Sequence, residues 1–244
     1  VALGKALFGG LGFNVMNPAL VGRAFVQAAF PVAITTWTPA LAPGRFSEFI
    51  PSTLAVPFMR PDPVLPWIQG LGIDGFTGAT PLALHKFQQI TTSTSDLLFG
   101  QVIGSSGETS AILILLGGLY LAFRRMLDWR IPRGVCMGAI LVSLPLWWLD
   151  SAVYPSPVFV WLSGGLMLGA WFMASDMVAS PVTALGAFIY GALIGVLTVV
   201  IRLFGGLPEG VMYAILLANA ASPLIASWTQ PRVYGEVKRQ EGGA

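Results

Sequence analysis

Apolar stretches long enough to cross a bilayer, which takes about 20 residues in a helix, recur along this chain. Six lie near 15 to 36, 109 to 124, 134 to 150, 157 to 174, 183 to 204 and 209 to 228. The first is interrupted by Asn17, Pro18 and Arg23, whereas the fifth runs clean from Val182 to Ile201. The pattern predicts an all-α integral membrane protein with about six transmembrane helices in the part present.

The polar interval between the first two runs, from about Trp37 to Ser106, is too long for an ordinary connection and too polar to span. It opens with Pro39, Pro43, Gly44, Pro51, Pro57 and Pro61, yet Phe46, Phe49, Phe58, Trp67 and Phe87 give it an aromatic content that disfavours disorder. A structural tether is the bland alternative; a segment folded back on the membrane surface is the expectation. Within it Leu97 to Gly104 is too short to cross and reads as a re-entrant or interfacial piece. The organisation expected is therefore an N-terminal segment and first helix over 1–36, an outer loop over 37–108, a five-helix bundle over 109–230 and a basic tail over 231–244.

Charge orients these elements. The stretch from Phe123 to Arg133 holds four arginines, while the turn around Asp150 to Pro155 has none, which puts the arginine loop in the cytoplasm. Threading outward from that anchor places 37–108 on the extracytoplasmic side and the C-terminal tail, with Arg232, Lys238 and Arg239, inside. Composition agrees with a bilayer as solvent: 55% of the residues are hydrophobic and 10% charged, against about 45–50% and 25% in soluble domains. A net charge of +2 gives no reason to expect nucleic acid as a partner. The single cysteine, Cys136, excludes an intramolecular disulfide and an iron–sulfur cluster held by this chain alone. The start at Val1 resembles neither a signal peptide nor a translation start, so an N-terminally incomplete chain is expected.

Inside the outer loop lies Asp74-Gly75-Phe76-Thr77-Gly78-Ala79-Thr80-Pro81. Physically it is a tight turn of small and hydroxyl residues, open to close approach by a planar ligand or phosphate, and taken alone it is as well explained by structure. The stretch resembles the flavin-attachment motif D-x-x-[S/T]-G-A-T, whose last threonine, here Thr80, is joined to FMN by a phosphoester bond. The resemblance extends to Phe8 through Phe25, Gly104 through Ser110, Met173 through Asp176 and Pro208 through Val211. Together these runs are similar to the family joining the D subunit of Rnf-type ferredoxin:NAD oxidoreductases and the B subunit of the sodium-pumping NADH:quinone oxidoreductase. The closing Pro231-Arg232-Val233-Tyr234-Gly235 resembles the Rnf member of that pair. Two departures stand out: family members carry a further N-terminal block with additional spans, and Ser175 and Met177 to Ala179 around Asp176 differ from the usual T-D-P-V-T/S run.

The resemblance implies a bacterial inner-membrane electron-transfer subunit of an ion-pumping complex, not catalytic alone. Its covalent FMN on Thr80 would be cradled by Asp74, Gly75, Thr77, Gly78 and Ala79. A second, non-covalent flavin, riboflavin or another, would lie near Asn14, Asn17 and Arg23. Its partners would be other membrane subunits, among them a second FMN-bearing subunit and iron–sulfur subunits, with a flavin transferase for maturation and the lipid bilayer around it.

Ionisable residues at membrane depth are functional candidates because burying them is costly. Glu108, Asp176 and Glu209 are the candidates for an ion or proton path. Each also has a structural reading: Glu108 and Glu209 at helix N-termini, Asp176 as a cap of the next helix, and Arg202 snorkelling to the outer surface. The asparagines Asn14 and Asn17 serve interhelical hydrogen bonding equally well. His85 reads as a surface residue within reach of the flavin turn, and the glycines at 164, 165, 169, 186, 191 and 195 as close-packing positions. A solute transporter with inverted repeats and paired broken helices is the alternative from another class; neither sign is legible in the sequence.

Overall fold

The computed structural model describes residues 2, 4–10, 12–30, 34, 80–105, 107–151 and 153–231. Among them every regular element is helical. A 3-10 turn at Ala6–Phe8 is followed by α1 (Pro18–Ala29), α2 (Pro81–Gln88), α3 (Thr94–Phe99), α4 (Ala111–Phe123), α5 (Arg130–Leu149), α6 (Pro157–Leu162), α7 (Leu166–Leu168, continued as a π turn over Gly169–Met173), α8 (Ala184–Phe204) and α9 (Val211–Thr229).

Three helices, α5, α8 and α9, are long and apolar enough to cross a membrane, and α4 is a shorter apolar helix. Their outward faces carry Leu141, Trp148, Leu185, Phe204, Leu217 and Trp228, all exposed, while Ser143, Thr198 and Asn219 are buried between them. Apolar outside and polar inside is the pattern of a protein solvated by lipid. This is a membrane protein.

The firmest contact is between α5 and α8, which run parallel. Gly134 and Gly138 on α5 face Phe188 and Ala192, and Gly191 and Gly195 on α8 face Ile131 and Val135, so each helix offers a G-x-x-x-G face to the other. A methyl group at any of the four would meet a backbone carbonyl oxygen, which is why the close-packing role expected of Gly191 and Gly195 holds. Helix α9 runs back against α8, with Gly210 beside Thr198 and Ile201 near one end and Thr229 beside Gly186 at the other. Tyr190 donates to Asn219 Oδ1 (2.5 Å) between them.

One expectation is corrected. The apolar run over 157 to 174 is not one helix: α6 stops at Leu162, Ser163 is extended, Gly164 adopts φ +62°, and the chain restarts at Leu166. The run reads as continuous because glycine is hydropathically bland, but a left-handed residue cannot continue an α-helix. One discontinuous helix therefore exists where the sequence shows none. The stretch from Leu97 to Gly104 divides, its first part closing α3 with Leu97 fully buried and Gly100 (φ +83°) turning the chain against Ser110.

The chain ends of these elements define two ends of the bundle. The arginine loop between α4 and α5, the start of α8 and the end of α9 share one end; the 150–156 turn, the 205–210 turn and α2 share the other.

Candidate functional site

Thr80 is the N-cap of α2: its side-chain oxygen accepts from Ala83 N (3.4 Å), and Pro81 at the first helical position needs no donor partner. It is buried, as are Pro81 and Leu82. Helix α2 is held against the far end of the bundle in three ways. Leu82 packs with Leu97 and Phe159, and the imidazole of His85 tilts onto the Phe159 ring at 5.4 Å between centroids. Lys86 Nζ donates to the carbonyl oxygens of Arg202 (2.8 Å), Leu207 (3.1 Å) and Gly205. The Arg202 and Gly205 carbonyls end α8, so the ammonium meets the negative end of that helix. His85 is thus buried and not a surface residue, and burial pushes both its imidazole and the Lys86 ammonium below their ordinary pKa values.

Beside Thr80 a cleft is lined by Leu97, Gly104, Glu108, Leu162, Gly164 and Glu209. Three sequence-predicted residues from three separate segments therefore meet: Thr80, Glu108 and Glu209. Arg23 joins them from α1, its guanidinium 3.2 Å from Glu209 Oε2. The sequence groups Arg23 with Asn14 and Asn17, but in the fold it belongs here. Neither carboxylate sits in the first turn of a helix: α4 begins at Ala111 and α9 at Val211, so Glu108 and Glu209 lie in the turns that lead into them. Glu108 is 4% exposed; its Oε1 accepts from Ser105 N (3.0 Å) and its Oε2 has no partner.

Arg202 does not snorkel. It is buried to 5% exposure and donates through Nη1 to Val160 O (2.7 Å) and through Nη2 to Ser163 O (3.1 Å). It caps the last turn of α6, where the break leaves carbonyls with no helical donor. A second cleft opens beside Leu82, His85, Lys86 and Gln89 of α2, lined also by Tyr154, Phe159 and Arg202.

The remaining candidates assemble at the opposite end. Asn17 is the N-cap of α1, accepting from Ala19 N (3.0 Å) and donating through Nδ2 to Met173 O (3.2 Å). Asn14 is buried and donates to Asp176 Oδ2 (3.3 Å). Asp176 accepts from Val178 N (3.2 Å) in its own turn; the cap of α8 is Thr183, not Asp176. Asp74, Gly75, Thr77, Gly78 and Ala79, with the rest of the stretch over 35–79, lie outside the described residues, as does the tail over 232–244. Sequence reasoning missed Ser163, Lys86 and the buried role of Arg202; a serine before two glycines inside an apolar run was the available signal for the break.

A family model described as the NQR2, RnfD, RnfE family matches residues 1–235. The chain belongs to that family. It is 39% identical to the D subunit of the ion-translocating oxidoreductase complex of Alcanivorax borkumensis, over 99% of this chain and 69% of the relative. It is 40% identical to the D subunit of the Na(+)-translocating ferredoxin:NAD(+) oxidoreductase complex of Acetobacterium woodii, over 98% and 64%. For the D subunit of the proton-translocating ferredoxin:NAD(+) oxidoreductase complex of Clostridium ljungdahlii the figures are 37%, 96% and 66%. The chain thus spans about two thirds of the length of these relatives.

Proposed function

We propose that this chain is the flavin-bearing membrane subunit of an ion-translocating ferredoxin:NAD oxidoreductase complex, with FMN joined to Thr80 through a phosphoester. It passes electrons between partner subunits and is not catalytic alone. The observation that carries this reading is the position of Thr80. The last residue of the attachment motif is the N-cap of α2 and faces a cleft, so a phosphoryl group on its oxygen would lie where a helix N-terminus favours negative charge. The residues present fit the attached end of the group. FMN supplies the redox chemistry when bound; Lys86, His85 and Leu82 fix the helix that carries it.

The names of the relatives support the complex and leave two ions open, sodium and the proton. Around this chain the reading places a second FMN-bearing subunit, iron–sulfur subunits and a flavin transferase. A second flavin would lie at the arginine-loop end beside Asn14 and Asn17. In a bacterial inner membrane, the arginine loop and tail would be cytoplasmic and α2 extracytoplasmic, with α1, α4 and the α6–α7 pair completing six passes. Intact-mass measurement with peptide mapping tests the attachment, on chain co-expressed with the transferase. An added mass of FMN less one water on the Thr80 peptide, absent from Thr80→Ala, is expected; an unmodified Thr80 refutes it.

A further inference from the structure

The cleft beside Leu82, His85 and Lys86 has walls of two kinds. Phe159, Val160, Val199 and Leu203 make one side apolar, whereas His85, Tyr154, Lys86 and Arg202 bring hydrogen-bond donors, and among the described residues no carboxylate lines it. The neighbouring cleft at Thr80 is the reverse, with Glu108 and Glu209 in its walls and no basic side chain among the described residues that line it.

The donors are not equally free. Lys86 spends its ammonium on three carbonyl oxygens, and Arg202 spends both terminal nitrogens on Val160 and Ser163, although its Nε has no partner. His85 is the unmatched group. It is 8% exposed, its ring touches Phe159, and among the described residues neither ring nitrogen has a hydrogen-bond partner. A buried polar group left without a partner costs about 1–3 kcal/mol, so an unmatched imidazole on a cleft points to a ligand that brings acceptors.

Depth identifies the ligand. The 21 residues of α8 rise about 31 Å at about 1.5 Å each, which matches a hydrocarbon core of about 30 Å. Arg202 and Leu203 lie in the last turn of that helix, so the cleft sits where hydrocarbon gives way to headgroups. Val153 of the cleft wall and Phe204 beside Leu203 are 48% and 66% exposed, which leaves this level apolar toward lipid. At such an edge water and salt screen charge, so the free donors and the apolar wall select the ligand, not a sum of charges. A phospholipid has both halves: phosphodiester oxygens that only accept, and an acyl chain.

We propose that the cleft between α2, α6 and the end of α8 binds one phospholipid of the leaflet it faces, its phosphodiester accepting from His85 and the Tyr154 hydroxyl and an acyl chain lying against Phe159 and Leu203. The lipid fastens α2, the helix that Thr80 caps, to the bundle beside the Lys86 anchor.

The test uses the protein with the subunits that purify with it, exchanged into a detergent without phosphate. Phosphatidylethanolamine carrying a photoreactive diazirine on its acyl chain is added, and crosslinks are mapped by peptide mass spectrometry. Labelling is expected in the peptides spanning Pro81–Gln89 and Val153–Phe159, competed by unlabelled phosphatidylethanolamine but not by inorganic phosphate or by a diacyl glycolipid without phosphate. His85→Phe keeps a ring against Phe159 and removes the nitrogens; it should weaken the labelling by about two- to tenfold, the loss expected for one hydrogen bond. Val153→Trp closes the mouth, leaves His85 in place and should abolish the labelling; it serves if His85→Phe fails to fold. Competition by inorganic phosphate would make this a site for a free anion, and equal competition by the glycolipid would mean that the headgroup is not read. Either result overturns the proposal, as does labelling that is absent from both peptides or unchanged in both variants. None of these readouts depends on the Thr80 adduct, so the flavin reading stands or falls separately.

Discussion

Replacing Lys86 with methionine keeps the length of the side chain and removes one ammonium that serves three carbonyl oxygens, two at the end of α8 and one in the turn after it. A hydrogen bond to a charged group contributes about 1.5–3 kcal/mol net, and a cation at a helix C-terminus adds about 0.3–1 kcal/mol. The three bonds share one ammonium and are partly exposed toward Leu207, so they act as a unit and not as a sum. A loss of about 3 kcal/mol is expected, which is about two orders of magnitude in the equilibrium for lifting α2 off the bundle. Leu82 and His85 still pack on Phe159, so the bundle itself stays folded. Hydrogen exchange followed by mass spectrometry reads this directly: amides of α2 should exchange about a hundredfold faster in Lys86→Met, with those of α5 and α8 unchanged. A protection of α2 equal to wild type would show that Lys86 does not hold the helix, and that the apolar contacts alone position Thr80.

Arg202→Met should destabilise the chain by about 3–5 kcal/mol, because it strips the donors from Val160 O and Ser163 O inside the protein; the detergent melting midpoint checks it, and no drop would mean water replaces the guanidinium. Gly138→Val puts a side chain into the backbone of Ala192, so α5 and α8 must separate at a cost of at least about 1–3 kcal/mol, visible as lower yield and a lower midpoint. His85 gives a pH dependence whose sign is fixed. Burial depresses its pKa, so the folded chain favours the neutral ring; stability is full above the ordinary value of 6.5 and falls as pH drops below it. His85→Phe should flatten the midpoint between about pH 7 and pH 5 relative to wild type, and an unchanged slope would assign the dependence to another group.

What hydropathy could reveal was the helices whose faces meet lipid. α8 and α9 lie within two residues of their expected bounds, because their sequence and environment are uniform along their length. The α5 boundary lies four residues closer to the arginine loop than expected, at Arg130 instead of 134: Arg130 and Arg133 can occupy a first turn at the water edge, and a hydropathy window rejects them. The site is legible in part. Thr80, Glu108 and Glu209 stand out by motif and burial cost, and the chain brings all three to one cleft. Their meeting is not legible, since it depends on Gly164 turning left-handed and on α9 starting at the depth of Thr198.

Arg202 shows the physical reason most clearly. Near the end of an apolar helix, an arginine is expected to reach for water, because nothing in its own segment offers acceptors. The acceptors come from the broken end of α6, about 40 residues away in sequence, where a helix stopped inside the protein leaves carbonyls that need donors as much as the arginine needs acceptors. Each defect makes the other tolerable. A charged residue in one apolar run and a serine–glycine–glycine interruption in another therefore form a pair to be sought together, and Arg202→Lys separates the two halves of that idea. A single ammonium can keep the charge but reaches the two carbonyls with a different geometry, so a midpoint between those of wild type and Arg202→Met is expected. A midpoint equal to that of Arg202→Met would mean that the forked geometry, and not the charge, holds the broken helix in place.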